Sequence, residues 1–364
     1  MKILHIINSL ATGGAEKLIL DTIPKYNDAG IKADILLLNG TAHPFLEELK
    51  LMNCCEIFVL GESSPYQLKF IFKLIPYFKK YDLVHAHLFP TNYFAAAAKR
   101  ISRSRAPLVM TEHNTSNRRF RSRKLLWLNK TVYKAFTKIV CITDEVKHVV
   151  ETKAHVRHEK LILIYNGVDT LKFARAPALR RSEINPKLSD VDFLLVQVSS
   201  FREQKDQSTA IRALSILPSN IKLILVGEGS LRDLNKRLVQ ELSLEDRVVF
   251  LGNRSDVACI LKASDVGILS THFEGFGLAA VEGMASGRPF IGSDVPGLSE
   301  VVAGAGILFP QGDERKLAAE VLRLMTDKEY YQAIAASGKI RAAQYDIDRM
   351  VQAHIDLYRE LTNS

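Results

Sequence analysis

Short apolar runs alternate with amphipathic stretches along almost the whole chain. KILHII, ADILLL, LVHA, PLVM, KIVCI and LILIY are dense in β-branched and aliphatic residues. Such near-continuous apolar runs fit strands covered on both faces. Several of the intervals between them repeat apolar positions at helical spacing. A second series follows with DFLLVQV, IKLILV, RVVFL, DVGIL and PFIG. Strands that alternate with helical segments predict parallel sheets flanked by helices, an α/β architecture. Two units of similar size are expected, residues 1–170 and 191–343. Between them, in 171–190, strand periodicity lapses and prolines appear. The segment 344–364 contains one last amphipathic helix, DRMVQAHIDLYREL. No repeat at a fixed period links the halves.

The chain has 364 residues, enough for two domains that each bury a core. No apolar run reaches the roughly eighteen residues of a membrane span. The opening MKILHIINSL is too soon interrupted by polar residues for a secretory signal, and it reads as a first strand. The four cysteines, Cys54, Cys55, Cys141 and Cys259, make no CxxC pair. Neither a disulfide framework nor a zinc site is expected, and a cytoplasmic location fits.

Charge changes the picture more. Residues 1–170 hold 25 Lys and Arg against 15 Asp and Glu, an excess of ten; the remainder holds 24 against 25. The net charge of +9 therefore comes entirely from the first half. Much of it lies in 99–130, where basic residues alternate with Phe120, Leu125, Leu126 and Trp127. With 66–82, YQLKFIFKLIPYFKKYD, this composition suits peripheral contact with an anionic membrane at the inner face of the cytoplasmic membrane. A solvated helix face is the plain alternative. Nucleic acid is disfavoured because no recognised binding module accompanies the patch.

Open parallel sheets bind ligands beyond the carboxyl ends of their strands, so the residues just after each strand are the candidates. Gly13 and Gly14 follow the first strand and open a helix, where backbone N–H groups can approach an anion. No GxGxxG is present, which disfavours a dinucleotide dehydrogenase. His113, in TEHNTSNRR after the strand PLVM, lies at that strand's carboxyl end, where an imidazole can exchange hydrogen bonds near neutral pH. His85 and His87 read as buried strand-end residues, and the HxH spacing lacks a convincing third metal ligand. Arg202 and Lys205 follow DFLLVQV, with Asp206 placed to cap the next helix. Cations beside a helix N-terminus suit a diphosphate. In EGFGLAAVEGMASGRP, 274–289, Glu274 lies in a loop and Glu282 in the early part of the following helix. Two carboxylates beside glycine N–H groups and a lysine describe a sugar-nucleotide site.

At these residues the chain resembles the retaining GT-B glycosyltransferases of family 4. Glu274 and Glu282 stand as its E-x7-E signature. GGAE at 13–16, IYNGVD at 164–169, LVGEG at 225–229, VVFLGNRSDV at 248–257 and VPGLSEVV at 295–302 extend the likeness over nearly the whole chain. The resemblance implies two Rossmann-like domains facing across a cleft, with a C-terminal helix crossing back to the N-terminal domain. It implies that Glu282 holds the donor ribose and that Glu274, with the N–H groups of Gly275, Phe276, Gly277 and Leu278, binds the donor sugar. Lys205 would neutralise the departing diphosphate and Gly14 would touch it. His113 would lie near the donor sugar, and Arg254 where the main chain meets the base. The family's arginine five residues before the lysine is replaced by Ser200, which leaves Arg202 to reach the phosphates.

The expected activity is transfer of a hexose from a nucleoside-diphosphate sugar, UDP- ahead of GDP-, to a glycan or polyprenyl-diphosphate-linked acceptor. The expected setting is cell-surface polysaccharide synthesis. The resemblance implies retention of configuration without metal or cofactor. Asp346 and Asp348, the one DxD, read as the start of the last helix. Competing readings are a sugar-nucleotide epimerase or hydrolase on the same fold, and a non-catalytic sugar-nucleotide-binding partner. The first lacks a dedicated acid–base set; only Ser200 favours the second.

Overall fold

The computed structural model describes residues 1–113 and 129–363. Two compact units emerge, one built from Met1–Gly167 with Ile347–Ser364, the other from Val168–Asp346.

The first unit contains strands β1 (Lys2–Ile7), β2 (Lys32–Leu37), β3 (Ile57–Val59), β4 (Leu83–His87), β5 (Leu108–Glu112), β6 (Lys138–Cys141) and β7 (Leu161–Leu163). They form one sheet in the order β3-β2-β1-β4-β5-β6-β7, every pair parallel. The interior strands β4 and β5 are buried at every position, as a sheet covered on both faces requires. Strand order reverses direction between β1 and β4, and that gap is the unit's topological switch point.

The second unit repeats the plan with β8 (Phe193–Val198), β9 (Ile221–Val226), β10 (Val248–Gly252), β11 (Val266–Leu269), β12 (Phe290–Ser293) and β13 (Ile307–Phe309). The order is β10-β9-β8-β11-β12-β13, again all parallel, with the switch point between β8 and β11. Leu195, Leu214, Leu223, Ile268 and Phe309 are among the side chains that fill the core on one face of this sheet.

Two strands escape the sequence pattern. β3 and β13 are three residues long, each at a sheet edge; β7 is as short, but it lies within the longer apolar run LILIY. The segment 171–190 carries two short helices, Thr170–Arg175 and Arg181–Ile184. Arg181 donates to both carboxylate oxygens of Asp265 at 3.0–3.1 Å, within the second unit.

The last helix, Ile347–Asn363, inserts Met350, His354 and Tyr358 into the first unit. Lys25 pairs with Asp348 at 2.6 Å, and Thr170 donates to Asp346. Both carboxylates of the DxD are thus engaged locally, as the helix-start reading expects.

No helix among the described residues is long and apolar enough to cross a membrane. Of the basic segment 99–130, residues 114–128 lie outside the described residues, including Phe120, Leu125, Leu126 and Trp127. Lys99 folds inward, donating to the carbonyls of Ser104 and Ala106, and burial lowers its pKa. Its charge serves the end of helix Thr91–Ser102 and is not offered to a partner.

Candidate active site

The sequence places polar residues just where β8 and β11 end, and the structure shows why they hold together. Gln197 interrupts the apolar run of β8 and is buried. Its Oε1 accepts from Ser270 Oγ at 2.9 Å and from Ser270 N at 3.3 Å, while Nε2 donates to Ser199 Oγ at 3.1 Å and Ser270 O at 3.3 Å. A buried amide satisfied this fully fixes the two strand ends in one geometry.

Beyond the strands the loops are laced again. His272 N donates to Gln204 O at 2.8 Å, Thr271 Oγ1 to the same carbonyl at 2.9 Å, and Gln204 Nε2 to Phe273 O at 2.7 Å. Asp206 caps helix Gln207–Ser215, its carboxylate accepting from Thr209 N. These contacts bring Lys205 and Glu274 together across the switch point, where Lys205 Nζ bonds Glu274 Oε1. The lysine side chain is 17% exposed and the glutamate 8%. Charges removed this far from water are costly unless matched, so the ion pair is held by need as well as by shape.

Glu274 opens a glycine-containing turn into helix Leu278–Ala285, whose N-cap is Gly277 with φ of +90°. Phe276 turns inward, its ring edge-on to Tyr345 at 5.1 Å, so at this position the backbone N–H rather than the ring remains for a ligand. Leu278 begins the helix and Glu282 follows one turn later, half-buried. An anion near such a terminus is stabilised by the exposed N–H groups and the helix dipole.

Gly297, the N-cap of helix Leu298–Val302, packs against this turn and was not singled out from sequence, although a Pro-Gly pair marks it. Its φ is +83°, and a Cβ there would stand 2.4 Å from Glu274 O and 3.0 Å from Gly275 O. Gly297→Ala should therefore destabilise the protein by about 1–3 kcal/mol from backbone strain alone, and displace the carbonyl of Glu274. Urea denaturation beside turnover would show both losses; unchanged turnover would mean that the Glu274 loop tolerates displacement.

The remaining candidates are placed differently. Arg202 is exposed in a tight turn, its carbonyl accepting from Lys205 N at 2.8 Å. Ser200 O accepts from Gln207 Nε2 at 3.1 Å. Arg254 follows β10 at the sheet edge, and its guanidinium grips both oxygens of Asp256 at 2.6–2.7 Å. That pairing raises the arginine pKa and lowers the aspartate's. The Arg254 side chain is thus committed to its own loop.

In the first unit Gly14 is exposed at the start of helix Gly14–Asp28, with Gly13 as N-cap. At this unit's switch point Asn8 Nδ2 donates to Phe89 O at 2.7 Å and Asn8 Oδ1 accepts from Thr91 Oγ1 at 2.6 Å. Leu88 takes φ of 63° here, a conformation costly for a branched side chain.

His113 follows β5. Its Nε2 is buried without a hydrogen-bond partner among the described residues, and its ring lies 6.1 Å from that of His87. Burial pulls its pKa down to about 4, so it is a neutral imidazole at physiological pH.

His85 and His87 are indeed buried, and the structure adds the third imidazole that spacing could not reveal. β1 and β4 pair with His5 opposite His85, and His5 Nδ1 lies 3.1 Å from His87 Nε2. Ring nitrogens of His5, His85 and His87 lie within 4.8 Å of one another. Both nitrogens of His85 are already bonded, to Tyr358 OH at 2.7 Å and to Thr111 Oγ1 at 2.8 Å, and these bonds compete with any metal. The His354 ring lies tilted against that of His85 at 5.8 Å, and its Nδ1 bonds Met350 O at 2.9 Å within its own helix.

Comparison with known proteins places the chain in a family. A sequence model described as Glycosyltransferase Family 4 matches residues 12–172, and one described as Glycosyl transferases group 1 matches 181–341. The chain is 30% identical over 267 residues to the UDP-Gal:alpha-D-GlcNAc-diphosphoundecaprenol alpha-1,3-galactosyltransferase of Escherichia coli, covering 69% of this chain and 68% of that one. It is 28% identical to the N-acetyl-alpha-D-glucosaminyl L-malate synthase of Bacillus anthracis, covering 82% and 81%. The crystal structure of Anabaena HepE in complex with UDP and glucose superposes with a TM-score of 0.86 at 25% identity, over 99% of this chain and 100% of that one. Two Rossmann-like units, an acid–lysine pair at a switch point and these relatives lead to one assignment: the chain belongs to the family 4 glycosyltransferases of GT-B fold.

Proposed function

We propose that the protein transfers a hexose from a UDP-sugar to a lipid-linked or glycan acceptor, with retention of anomeric configuration. The observation that carries this reading is the Lys205–Glu274 pair seated at the switch point between β8 and β11. A sugar that leaves a nucleoside diphosphate builds positive charge at its anomeric carbon and negative charge on the diphosphate. Fixed charges of both signs, already desolvated, stabilise that separation without reorganising. Lys205 would meet the diphosphate oxygens, and Glu274 would hold the sugar beside the N–H groups of Gly275, Phe276, Gly277 and Leu278. Glu282 would accept hydrogen bonds from the ribose hydroxyls. The bond from the anomeric carbon to the diphosphate would break, the acceptor oxygen would bond to that carbon on the same face, and the hydroxyl proton would pass to the departing diphosphate oxygen.

Gly14 would add a backbone contact to the diphosphate, Arg202 a mobile cation, and Arg254 a main-chain contact to the base. His113, kept neutral by burial, would exchange a hydrogen bond with the donor sugar. The chemistry needs no metal in this reading, because lysine and helix N–H groups supply the counter-charge. Uridine is favoured because the Escherichia coli relative is named for UDP-Gal and HepE was crystallised with UDP. The acceptor is the less constrained substrate: one relative is named for a diphosphoundecaprenol, the other for L-malate.

Thermal unfolding with UDP-, GDP-, ADP- and TDP-sugars tests the donor. At about a hundred times its Kd, a ligand adds about 2.7 kcal/mol to stability. A rise in Tm with the UDP series, lost in Glu282→Ala, is the expected result. A shift with another base would overturn the uridine assignment, and no shift with any donor would overturn the site.

A further inference from the structure

Three imidazoles stand together inside the first unit, on strands that are otherwise largely apolar. His5, His85 and His87 are 1%, 0% and 6% exposed. β1 and β4 pair in parallel with His5 opposite His85, and His87 follows two positions on, so the three side chains share one face of the sheet. Their ring centroids are 4.2 Å apart for His85 and His87, 5.3 Å for His5 and His85, and 5.4 Å for His5 and His87. The rings of Tyr26, His354 and Tyr358 pack against them at 5.4 to 6.2 Å. The proposed sugar transfer uses none of the three.

The arrangement has the dimensions of a nitrogen ligand set. Two imidazole nitrogens bound at about 2.0–2.1 Å to one tetrahedral ion stand about 3.4 Å apart. His5 Nδ1 and His87 Nε2 are 3.1 Å apart, and one nitrogen of each of the three rings falls within 4.8 Å of the others. In the tautomers with protons on His5 Nε2 and His87 Nδ1, both facing nitrogens present lone pairs. His5 Nε2 has no hydrogen-bond partner among the described residues, so no bond there opposes that tautomer. His85 has two hydroxyl partners, Tyr358 and Thr111. It can yield one of them to an ion and keep the other, since a ligating imidazole ordinarily holds a hydrogen bond on its second nitrogen. The donor type selects the ion. Magnesium and calcium take oxygen ligands, whereas imidazole suits zinc and the neighbouring divalent transition metals.

We propose that His5, His85 and His87 bind one divalent transition-metal ion of the zinc class. The site is structural: it ties β1 to β4, and through the hydroxyl that His85 retains it reaches either β5 or the last helix. Three protein ligands leave a fourth position for water or hydroxide, and hydroxide offsets part of the buried charge. The Lys205–Glu274 pair belongs to the other unit, so the inference stands apart from the donor reading.

The experiment strips the full chain with a chelator, removes the chelator by dialysis, and titrates Co2+ and then Zn2+ at pH 8. One equivalent of Co2+ should bring up the visible absorption of a four-coordinate site, and Zn2+ should bleach it. Zn2+ at a hundredfold excess over its Kd should raise Tm by about 5 °C or more. His5→Asn and His87→Gln each keep a hydrogen-bonding amide near the lost ring nitrogen and remove a ligand. Either variant, folded by its metal-free Tm, should lose the cobalt colour and bind zinc about a hundredfold more weakly or worse. Zinc-edge X-ray absorption of the wild type needs no variant: three imidazole ligands would support the proposal, and ligation by oxygen or sulfur alone would overturn it. So would a wild type that takes up no metal, or uptake unchanged in both variants. A thiolate-to-cobalt band that disappears in Cys54→Ser/Cys55→Ser would place the ion on the adjacent cysteines and overturn it as well.

Discussion

Lys205→Met should lower kcat by about 10²–10³-fold, the range for losing one preorganised group that stabilises developing charge. The same change leaves the carboxylate of Glu274 in a nearly closed site without its lysine. Breaking a buried pair from one side costs about 3–5 kcal/mol, so part of any lost activity could be lost fold. The double variant Lys205→Met/Glu274→Gln separates the two effects. Removing both charges should restore most of the stability and none of the turnover, a strongly non-additive cycle. Single variants whose turnover falls only as far as their folded fraction would mean that the pair is structural, and the proposed role of Lys205 would fail.

The second large effect is on stability. His5 is held to a pKa of about 3, and His113 and His354 to about 4, each by burial first; His85 and His87 are lowered in the same way. In the unfolded chain each imidazole titrates near 6.5, so below that pH the unfolded state binds protons that the folded state refuses. Stability from the cluster is complete above about pH 6.5 and drains away as pH falls toward the folded values. At pH 5 each ring costs about 2 kcal/mol relative to pH 8. Three rings alone reach the size of a whole domain's stability. The first unit should therefore unfold between pH 6.5 and pH 5, ahead of the second. Amide exchange in β1 and β4, compared with β8 and β9, would follow it strand by strand. Equal protection at pH 8 and pH 5 would mean that the rings accept protons where they sit.

The parallel sheets were legible because buried strands must be largely apolar, and β1, β4, β5, β8 and β9 are each rich enough in aliphatic residues to stand out despite single polar positions. β3 and β13 could not be read in the same way: three residues carry no period, and unlike β7, which lies within the longer apolar run LILIY, neither sits in a run that long. Lys205, Glu274 and Glu282 stood out as candidates because a ligand site needs charge and glycine where a strand hands over to a helix, and the structure brings the first two together. Gln197 left a trace, one amide within DFLLVQV, but its partner Ser270 lies 73 residues away and only the pairing of β8 with β11 gives the amide its use. His5 left less. Within KILHII it looks like any strand residue, and it becomes part of a cluster only when β1 and β4 align His5 with His85. Sequence spacing reports neighbours along one element; these residues are neighbours through sheet register.

The last helix has a consequence for how the protein is made. The first unit takes its final core side chains, His354 and Tyr358, from Ile347–Asn363. The entire second unit, Val168–Asp346, is synthesised before they appear. A nascent chain that ends at Gly167 presents a sheet whose histidine face is covered only in part, by Tyr26 of helix Gly14–Asp28 against His5. The second unit, contiguous in sequence, can close as it leaves the ribosome, while the first waits with strand pairs formed and that face half covered. Translation order and completion order are thus reversed: the half that is made first is finished last, and only the end of the chain seals it.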